Sequence, residues 1–332
     1  MNKYILFILL LIGFISTTNA YNKTNNKLTA NALLKPEPKA KSILLTSPNG
    51  GEIWQAGSTQ LIKWTSSEIT YVNLSYSTNN GINWTSIENH IEASLWQYYW
   101  NIPQNITPSQ EFRIRVVDES DALVSDMSDN KFVLTKLNLL SPTSSISFQT
   151  SRVDTIKWVA SSDIASIDID ISINNGAWQS VVHNYDASLG QYEYSVPNNA
   201  SANNRIRIRN SVVPSIQTIS DYFRIATLDL NSPNGGEVWF QGTNQTISWN
   251  SNSITNLGIS YSIDNGVTWT IIEDPYSAAF NSYSFQVPSV ASSQVLIKVY
   301  DADEPEIYDI SDAIFTIYTL TITSPNANTG WE

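Results

Sequence analysis

The chain has 332 residues, a formal net charge of −12 and no cysteine. That charge disfavours nucleic acid and anionic membrane as partners. The absence of thiols excludes disulfides and a lipoprotein anchor, so 11 Trp, 16 Tyr and 10 Phe must hold the fold by packing alone.

The first element is a secretory signal over residues 1–20. Lys3 supplies the positive start, Tyr4 to Ile15 is nearly all apolar, and Thr18-Asn19-Ala20 offers a small-residue cleavage site. A membrane anchor is the competing reading, but the apolar run is shorter than the roughly 20 residues a spanning helix needs. No later segment is apolar enough to span, so no transmembrane segment is expected after cleavage. Loss of Lys3 leaves the mature chain still more acidic. Such a surface suits cations or neutral glycans, and it also simply keeps an exported protein soluble.

Residues 21–42 are polar and contain Lys-Pro-Glu-Pro-Lys at 35–39, which reads as an extended linker. From there the sequence repeats. Ser47-Pro48-Asn49-Gly50-Gly51-Glu52-Ile53-Trp54 returns as Ser232-Pro233-Asn234-Gly235-Gly236-Glu237-Val238-Trp239, with a worn copy from Ser141-Pro142. Trp64, Trp158 and Trp249 keep the same beat, as do Pro103, Pro197 and Pro288. A period of over 90 residues is a whole small domain rather than a solenoid unit. The expected units are repeat 1 (43–136), repeat 2 (137–226) and repeat 3 (227–318). Residues 319–332 read as the first strand of an incomplete fourth repeat, so the chain is either a piece of a longer one or that strand pairs elsewhere.

Within each repeat the hydrophobic period is two. Val72, Leu74 and Tyr76 alternate with polar residues, as do Ile167, Ile169 and Ile171, then Leu257, Ile259 and Tyr261. Asn80-Gly81, Asn175-Gly176 and Asn265-Gly266 are hairpin dipeptides. About seven short strands and no convincing helix in some 90 residues predict an all-β fold: tandem immunoglobulin/fibronectin-III-like β-sandwiches, without the Cys–Trp–Cys framework of antibody domains.

These motifs carry a resemblance. The Ser-Pro-Asn-Gly-Gly-Glu-hydrophobic-Trp opening, Ile-Lys-Trp at 62–64 and 156–158, the Tyr-Ser-x-x-Asn-Gly-x-x-Trp hairpin and the closing Ser-Asp-x-x-Phe are similar to the Kre/Knh-type cell-wall-synthesis domain, of the Ser-Thr-rich GPI-anchored membrane family. The likeness covers nearly all of 43–318. Repeat 2 departs from it, with Phe148 for the first Trp and Pro142-Thr143-Ser144-Ser145 for the Pro-Asn-Gly-Gly stretch. In fungi the family is tied to β-1,6-glucan, and bacterial tandem copies resemble modules of secreted and surface proteins. The resemblance implies attachment or spacing and supplies no catalytic residue.

The candidate chemistry is sparse. Ser262 to Trp269 matches an Asp-box, Ser-x-Asp-x-Gly-x-Thr-Trp, and Ser77 to Trp84 matches it with Asn79 at the acidic position. The box is a hairpin stabiliser found in propeller glycosidases, whose blades recur at a shorter period. His90 and His183 are the only histidines and lie in no catalytic context. Acidic turns at Asp118, Asp121 and at Asp301, Asp303 are candidate weak calcium ligands, set against plain solvated turns. No other cofactor is called for. Asp129, Asp221 and Asp312 recur after Ser and read as turn-capping carboxylates.

The repeats serve as an internal alignment of the aromatics. Trp64, Trp158 and Trp249 recur and belong to the core, as do Tyr98 and Trp100 with their counterparts. Trp96 corresponds to Gly190 and Asn281, and Tyr99 to Glu193 and Ser284. Both are aromatic only in repeat 1, and flat exposed rings stack on sugars. They are the candidate ligand-binding pair, against the alternative that one packs on a neighbouring domain and the other is merely exposed. If the strand includes position 96, the two lie on different faces. The sequence thus reads as a secreted or cell-surface, non-enzymatic repeat protein for adhesion, spacing or cell-wall association. Its expected partner is an extracellular polysaccharide or a surface protein. The alternatives are a carbohydrate-binding appendage of a hydrolase truncated at Glu332, and an Asp-box propeller.

Overall fold

The computed structural model describes residues 39–320. The expected signal, most of the linker and all but the start of the fourth-repeat strand lie outside the described residues. Repeat 1 contains β1 (Ser42–Ser47), β2 (Ile53–Gln55), β3 (Thr59–Ser67), β4 (Tyr71–Ser77), β5 (Thr85–Glu92), β6 (Gln97–Asn101), β7 (Ser109–Asp118), β8 (Asp121–Met127) and β9 (Phe132–Thr135). One sheet has the order β1-β3-β6 and the other β2-β9-β7-β4-β5, with β8 added alongside β7. Every pairing is antiparallel except β2 with β9. The architecture is the all-β, immunoglobulin/fibronectin-III-like sandwich that period-two patterning requires. There are nine strands where the sequence suggests about seven. β2 and β9 have only three and four residues, too few to display a period.

Repeats 2 and 3 rebuild the same pair of sheets. The strand Phe223–Ser232 belongs to both. Its first part pairs with Ser201–Asn210 through Phe223 and Ile225, and from Thr227 it pairs with Asn244–Asn252. Repeat 1 passes to repeat 2 with only Lys136 between strands β9 and Leu137–Ser141.

Each repeat closes its own core. Three separate cores overturn the propeller alternative, in which blades would share a central axis. In every copy an indole spans the sandwich and donates to the same carbonyl: Trp64 Nε1 to Ala93 O at 3.1 Å, Trp158 to Ala187 at 2.8 Å and Trp249 to Ala278 at 3.0 Å. This satisfies a buried donor that would otherwise cost about 1–3 kcal/mol. A second aromatic rests on the closing strand, Trp54 on Phe132, Phe148 on Phe223 and Trp239 on Phe315, with centroids 4.9, 5.0 and 4.6 Å apart. Trp100, Tyr194 and Phe285 are buried, and Tyr98, Tyr192 and Tyr283 pack against the same cores.

The Ser-Pro-Asn-Gly-Gly-Glu motif is explained by its turn. Glu52 accepts from the N–H groups of Asn49 and Gly50, both at 2.8 Å, and Glu237 repeats this on Asn234 and Gly235. Gly50 and Gly235 have φ of +124° and +126°, and a Cβ there would sit 2.4 Å from Asn130 Cβ or 2.6 Å from Ala313 Cβ. Only glycine fits such a position. Asn49 and Asn234 then grip the far end of the repeat, each donating Nδ2–H to Asp129 or Asp312 at 2.7 Å and accepting that residue's N–H at 2.8 Å. These two carboxylates are turn clasps. Asp221, read alike from the recurrence of Ser-Asp, has no such partner among the described residues, because repeat 2 has Thr143 in place of the asparagine.

Candidate functional site: an apolar sheet face on repeat 1

A single 3₁₀ turn precedes β6 and its counterparts: Ala93–Leu95, Ala187–Leu189 and Ala278–Phe280. The residue that ends each turn is left-handed, with φ of 55° at Trp96, 67° at Gly190 and 57° at Asn281. Glycine and asparagine are the residues that adopt this conformation at little cost. Repeats 2 and 3 use them, and repeat 1 places an indole there. The backbone work is identical in all three, since the carbonyls of Trp96, Gly190 and Asn281 accept from Trp64, Trp158 and Trp249 at 3.0–3.1 Å. The Trp96 side chain contributes nothing to that bond and is 57 % exposed.

β6 begins at Gln97, after Trp96, so the two-face outcome for Trp96 and Tyr99 does not follow from strand parity. Tyr99 is 62 % exposed and lies opposite Leu61 on β3. Antiparallel partners share a face, and alternation along β3 places Lys63 and Thr65 there too. Lys63 pairs with Gln97 and Thr65 with Leu44. Leu44 is exposed and Leu61 half-buried. The outer face of the three-stranded sheet thus carries Leu44, Leu61 and Tyr99 interspersed with Lys63, Thr65 and Gln97, and Trp96 immediately precedes its strand β6. The matching positions are Asn138, Thr155, Glu193 and Gly190 in repeat 2, then Asp229, Thr246, Ser284 and Asn281 in repeat 3. Four positions are apolar in one copy and polar or glycine in both others. The sequence reading found the two aromatics and missed Leu44 and Leu61. The internal alignment that isolated Trp96 would have found them had it been extended to β1 and β3.

The acidic turns have a different logic. Asp118 and Asp301 are buried, and each Oδ1 accepts the N–H two residues on, from Ser120 or Asp303, at 2.9 Å. Asn210 does the same for Val212 at 2.9 Å, so the repeat 2 turn needs an acceptor rather than a charge. The second oxygen meets a protein cation: Lys41 Nζ at 2.7 Å from Asp118, and Arg224 Nη1 at 2.6 Å from Asp301. The latter is a close charge contact outside hydrogen-bond geometry. Burial alone would push the Asp118 carboxyl up, and the hydrogen bonds from Lys41 and Ser120 outweigh it, so it lies below its usual range. Asp121 is exposed and caps its own turn by accepting from Leu123, and Asp303 is exposed. Among the described residues no three His, Cys, Asp or Glu side chains converge to hold a metal ion. Asp126 and Asp309, further along, accept the N–H groups of Leu45 and Leu230 at 2.7 Å where those strands bulge.

The Asp-box at Ser262 to Trp269 is a closed hairpin. Asp264 accepts from Thr268 N and Oγ1 at 2.8 and 2.6 Å and from Ser262 Oγ at 2.7 Å. These bonds, those from Thr268 foremost, hold its carboxyl down at about 2. His90 stacks on Tyr71 with centroids 3.8 Å apart and reaches Glu119 at 3.0 Å, and His183 meets Ser180 at 2.9 Å. His183 Nδ1 also lies 3.7 Å from Asp168 Oδ1, with the imidazole exposed.

No family model matches the chain, and no curated protein matches it. Solved structures similar to it include the fibronectin(III)-like modules of Clostridium thermocellum CbhA, 13 % identical over 57 % of this chain and 99 % of that one, with a TM-score of 0.23. A three-immunoglobulin fragment of titin is 8 % identical over 85 % and 100 %, with a TM-score of 0.26. Domains 3–5 of the extracellular part of Drosophila OTK are 10 % identical over 84 % and 98 %, with a TM-score of 0.28. No helix among the described residues is long and apolar enough to cross a membrane.

Proposed function

We propose that the chain is an exported, non-catalytic array of sandwich modules that attaches to an extracellular polysaccharide through the outer sheet face of repeat 1. The observation that carries this reading is Trp96. A large aromatic in a left-handed turn costs of order 1 kcal/mol relative to the residues used in the sister repeats, and its ring is more than half exposed. Leu44, Leu61 and Tyr99 lie on the outer face of the adjoining sheet, with Lys63 and Gln97 among them and no carboxylate. Apolar side chains interspersed with hydrogen-bonding groups in this way complement a pyranose chain, whose flat face is apolar and whose rim is polar. The similarity of the repeat motifs to the Kre/Knh-type wall domain supports the same class of ligand.

The test is retention of the full chain on insoluble β-glucan, chitin, cellulose and peptidoglycan. Trp96→Ala/Tyr99→Ala is the site variant, and Phe280→Ala, an exposed aromatic on repeat 3, is the control. The expected result is retention on at least one polymer, lost only in the site variant. Retention is also expected to survive EDTA, because Asp118 and Asp301 already hold Lys41 and Arg224. Equal behaviour of the site variant and the wild type would sink the proposal, leaving adhesion to a surface protein as the reading to pursue.

A further inference from the structure

The two junctions between repeats share one device and differ in another. Gln55, at the end of β2, reaches into repeat 2. Its Nε2 donates to the carbonyls of Leu137 and Gln217, both at 3.1 Å, and its Oε1 accepts from Gln217 N at 3.2 Å. Gln149 holds the same position in repeat 2 and does the same to repeat 3. It donates to Leu228 O at 3.3 Å and Tyr308 O at 3.0 Å, and accepts from Tyr308 N at 3.3 Å. A side-chain amide is the one group that matches a backbone N–H and C=O pair with both of its atoms. The third copy has Phe240 here.

Only the second junction adds charge. Arg152 donates to Tyr308 O and lies 4.6 Å from the centre of the Tyr308 ring. Arg224 donates to Ser147 Oγ at 2.8 Å and Ser253 O at 2.9 Å, and stands 2.6 Å from Asp301 and 3.4 Å from Glu304. Both arginines belong to repeat 2, and their targets Ser253, Asp301, Glu304 and Tyr308 belong to repeat 3. The repeat 1 counterparts of the arginines are Ser58 and Val133. The repeat 2 counterparts of the targets Asp301, Glu304 and Tyr308 are Asn210, Val213 and Gln217. The two sides of the junction have therefore changed together, arginine against acid at the second and neutral against neutral at the first.

We infer that the leading face of repeat 3, built from Asp301, Glu304 and Tyr308, is a receptor surface specific for the arginine-bearing end of repeat 2. Repeats 2 and 3 form one stiff arm, and repeat 1 turns against it on neutral contacts, the glutamine clamp and the bond from Gln104 to Asn138. The glutamine sets register at both joints. The buried arginine–carboxylate contact, little screened by salt because Asp301 is enclosed, supplies stiffness and neighbour choice at one of them.

The chain's lack of cysteine makes the test direct. Spin labels at Ile82→Cys and Ala177→Cys span the first joint, and labels at Ala177→Cys and Val267→Cys span the second. All three sites are exposed and occupy equivalent hairpins. Pulsed electron–electron distance measurements on the full chain are expected to give a narrow distribution across the second joint and a broader one across the first. Arg152→Ser/Arg224→Val/Asp301→Asn removes the arginine–aspartate contact from the second joint and leaves only Glu304, which is partly exposed, so that no buried charge is stranded. It is expected to broaden the second distribution to the width of the first and to leave the first unchanged. Should the triple variant fold poorly by near-ultraviolet circular dichroism, Arg152→Ser alone makes the same measurement, since Arg152 is only partly buried. Equal widths in the wild type, or a second distribution unmoved by loss of the arginines, would overturn the inference.

Discussion

Trp96 joins two demands that usually separate, a backbone conformation suited to glycine and a side chain suited to contact. Trp96→Asn, copying repeat 3, is expected to stabilise repeat 1 by about 1 kcal/mol while abolishing polysaccharide retention. Urea titration of tryptophan-independent circular dichroism checks the first outcome, and the pull-down checks the second. Asp264 yields a pH prediction. Its folded pKa, about 2, is depressed below the ordinary carboxylate value. The stabilisation it gives the hairpin is therefore complete above the unfolded pKa of about 4 and is lost as pH falls from there through about 2. Amide exchange at Thr268, whose N–H it accepts, should accelerate in that window. The corresponding amide of Asn83, held by the neutral Asn79 at 2.9 Å, should show no such step.

At the level of strands and turns, the repeats solve one geometric problem in different chemistry. The edge strand bulges at His90 and Asn184, and their N–H groups are accepted by Asn73 and Asp168 at 2.9 and 3.0 Å. In repeat 3 the bulging residue is Pro275, which has no N–H to satisfy, and the acceptor position is Gly258. Tyr300 lies over that glycine so closely that a Cβ would approach its ring to 2.2 Å, and its hydroxyl donates to Asp274 at 2.7 Å. The two glycines of the opening motif separate space from conformation. Gly235→Ala meets the Ala313 backbone and is expected to cost more than about 2 kcal/mol, whereas Gly236→Ala has open space around it and should cost about 1 kcal/mol from its left-handed φ alone. Thermal unfolding of the two variants distinguishes them. Much of this level was legible beforehand. Alternation at Val72, Leu74 and Tyr76 marked a strand, Asn-Gly pairs marked the hairpins, and the recurring Trp64 series marked the core. What stayed hidden was whatever depends on partners far along the chain. Asp118 and Asp301 stood as candidate calcium ligands beside the solvated-turn reading, because Lys41 and Arg224, the cations that meet them, lie 77 residues away in each case. Leu44 and Leu61 gave no signal because a lone apolar residue on an outward strand position is ordinary.

For the whole molecule, three closed cores joined by unequal joints predict unequal cooperativity. Calorimetry of the full chain is expected to resolve repeat 1 as its own transition, with repeats 2 and 3 melting together. The neutralised second joint should split that shared transition. A single transition for all three repeats in the wild type would contradict the picture.

The strand Phe223–Ser232 has a mechanical consequence. It closes one sandwich and opens the next without a residue of slack, and Lys136 alone separates the corresponding strands at the first joint. Tension applied along the array passes straight down this backbone, loading its ladders in shear at both ends at once. There is no coil between modules to straighten. Extension must therefore come from rotation at the joints while forces are low, and afterwards only from rupture of a module, so the array behaves under load as a tether of nearly fixed length.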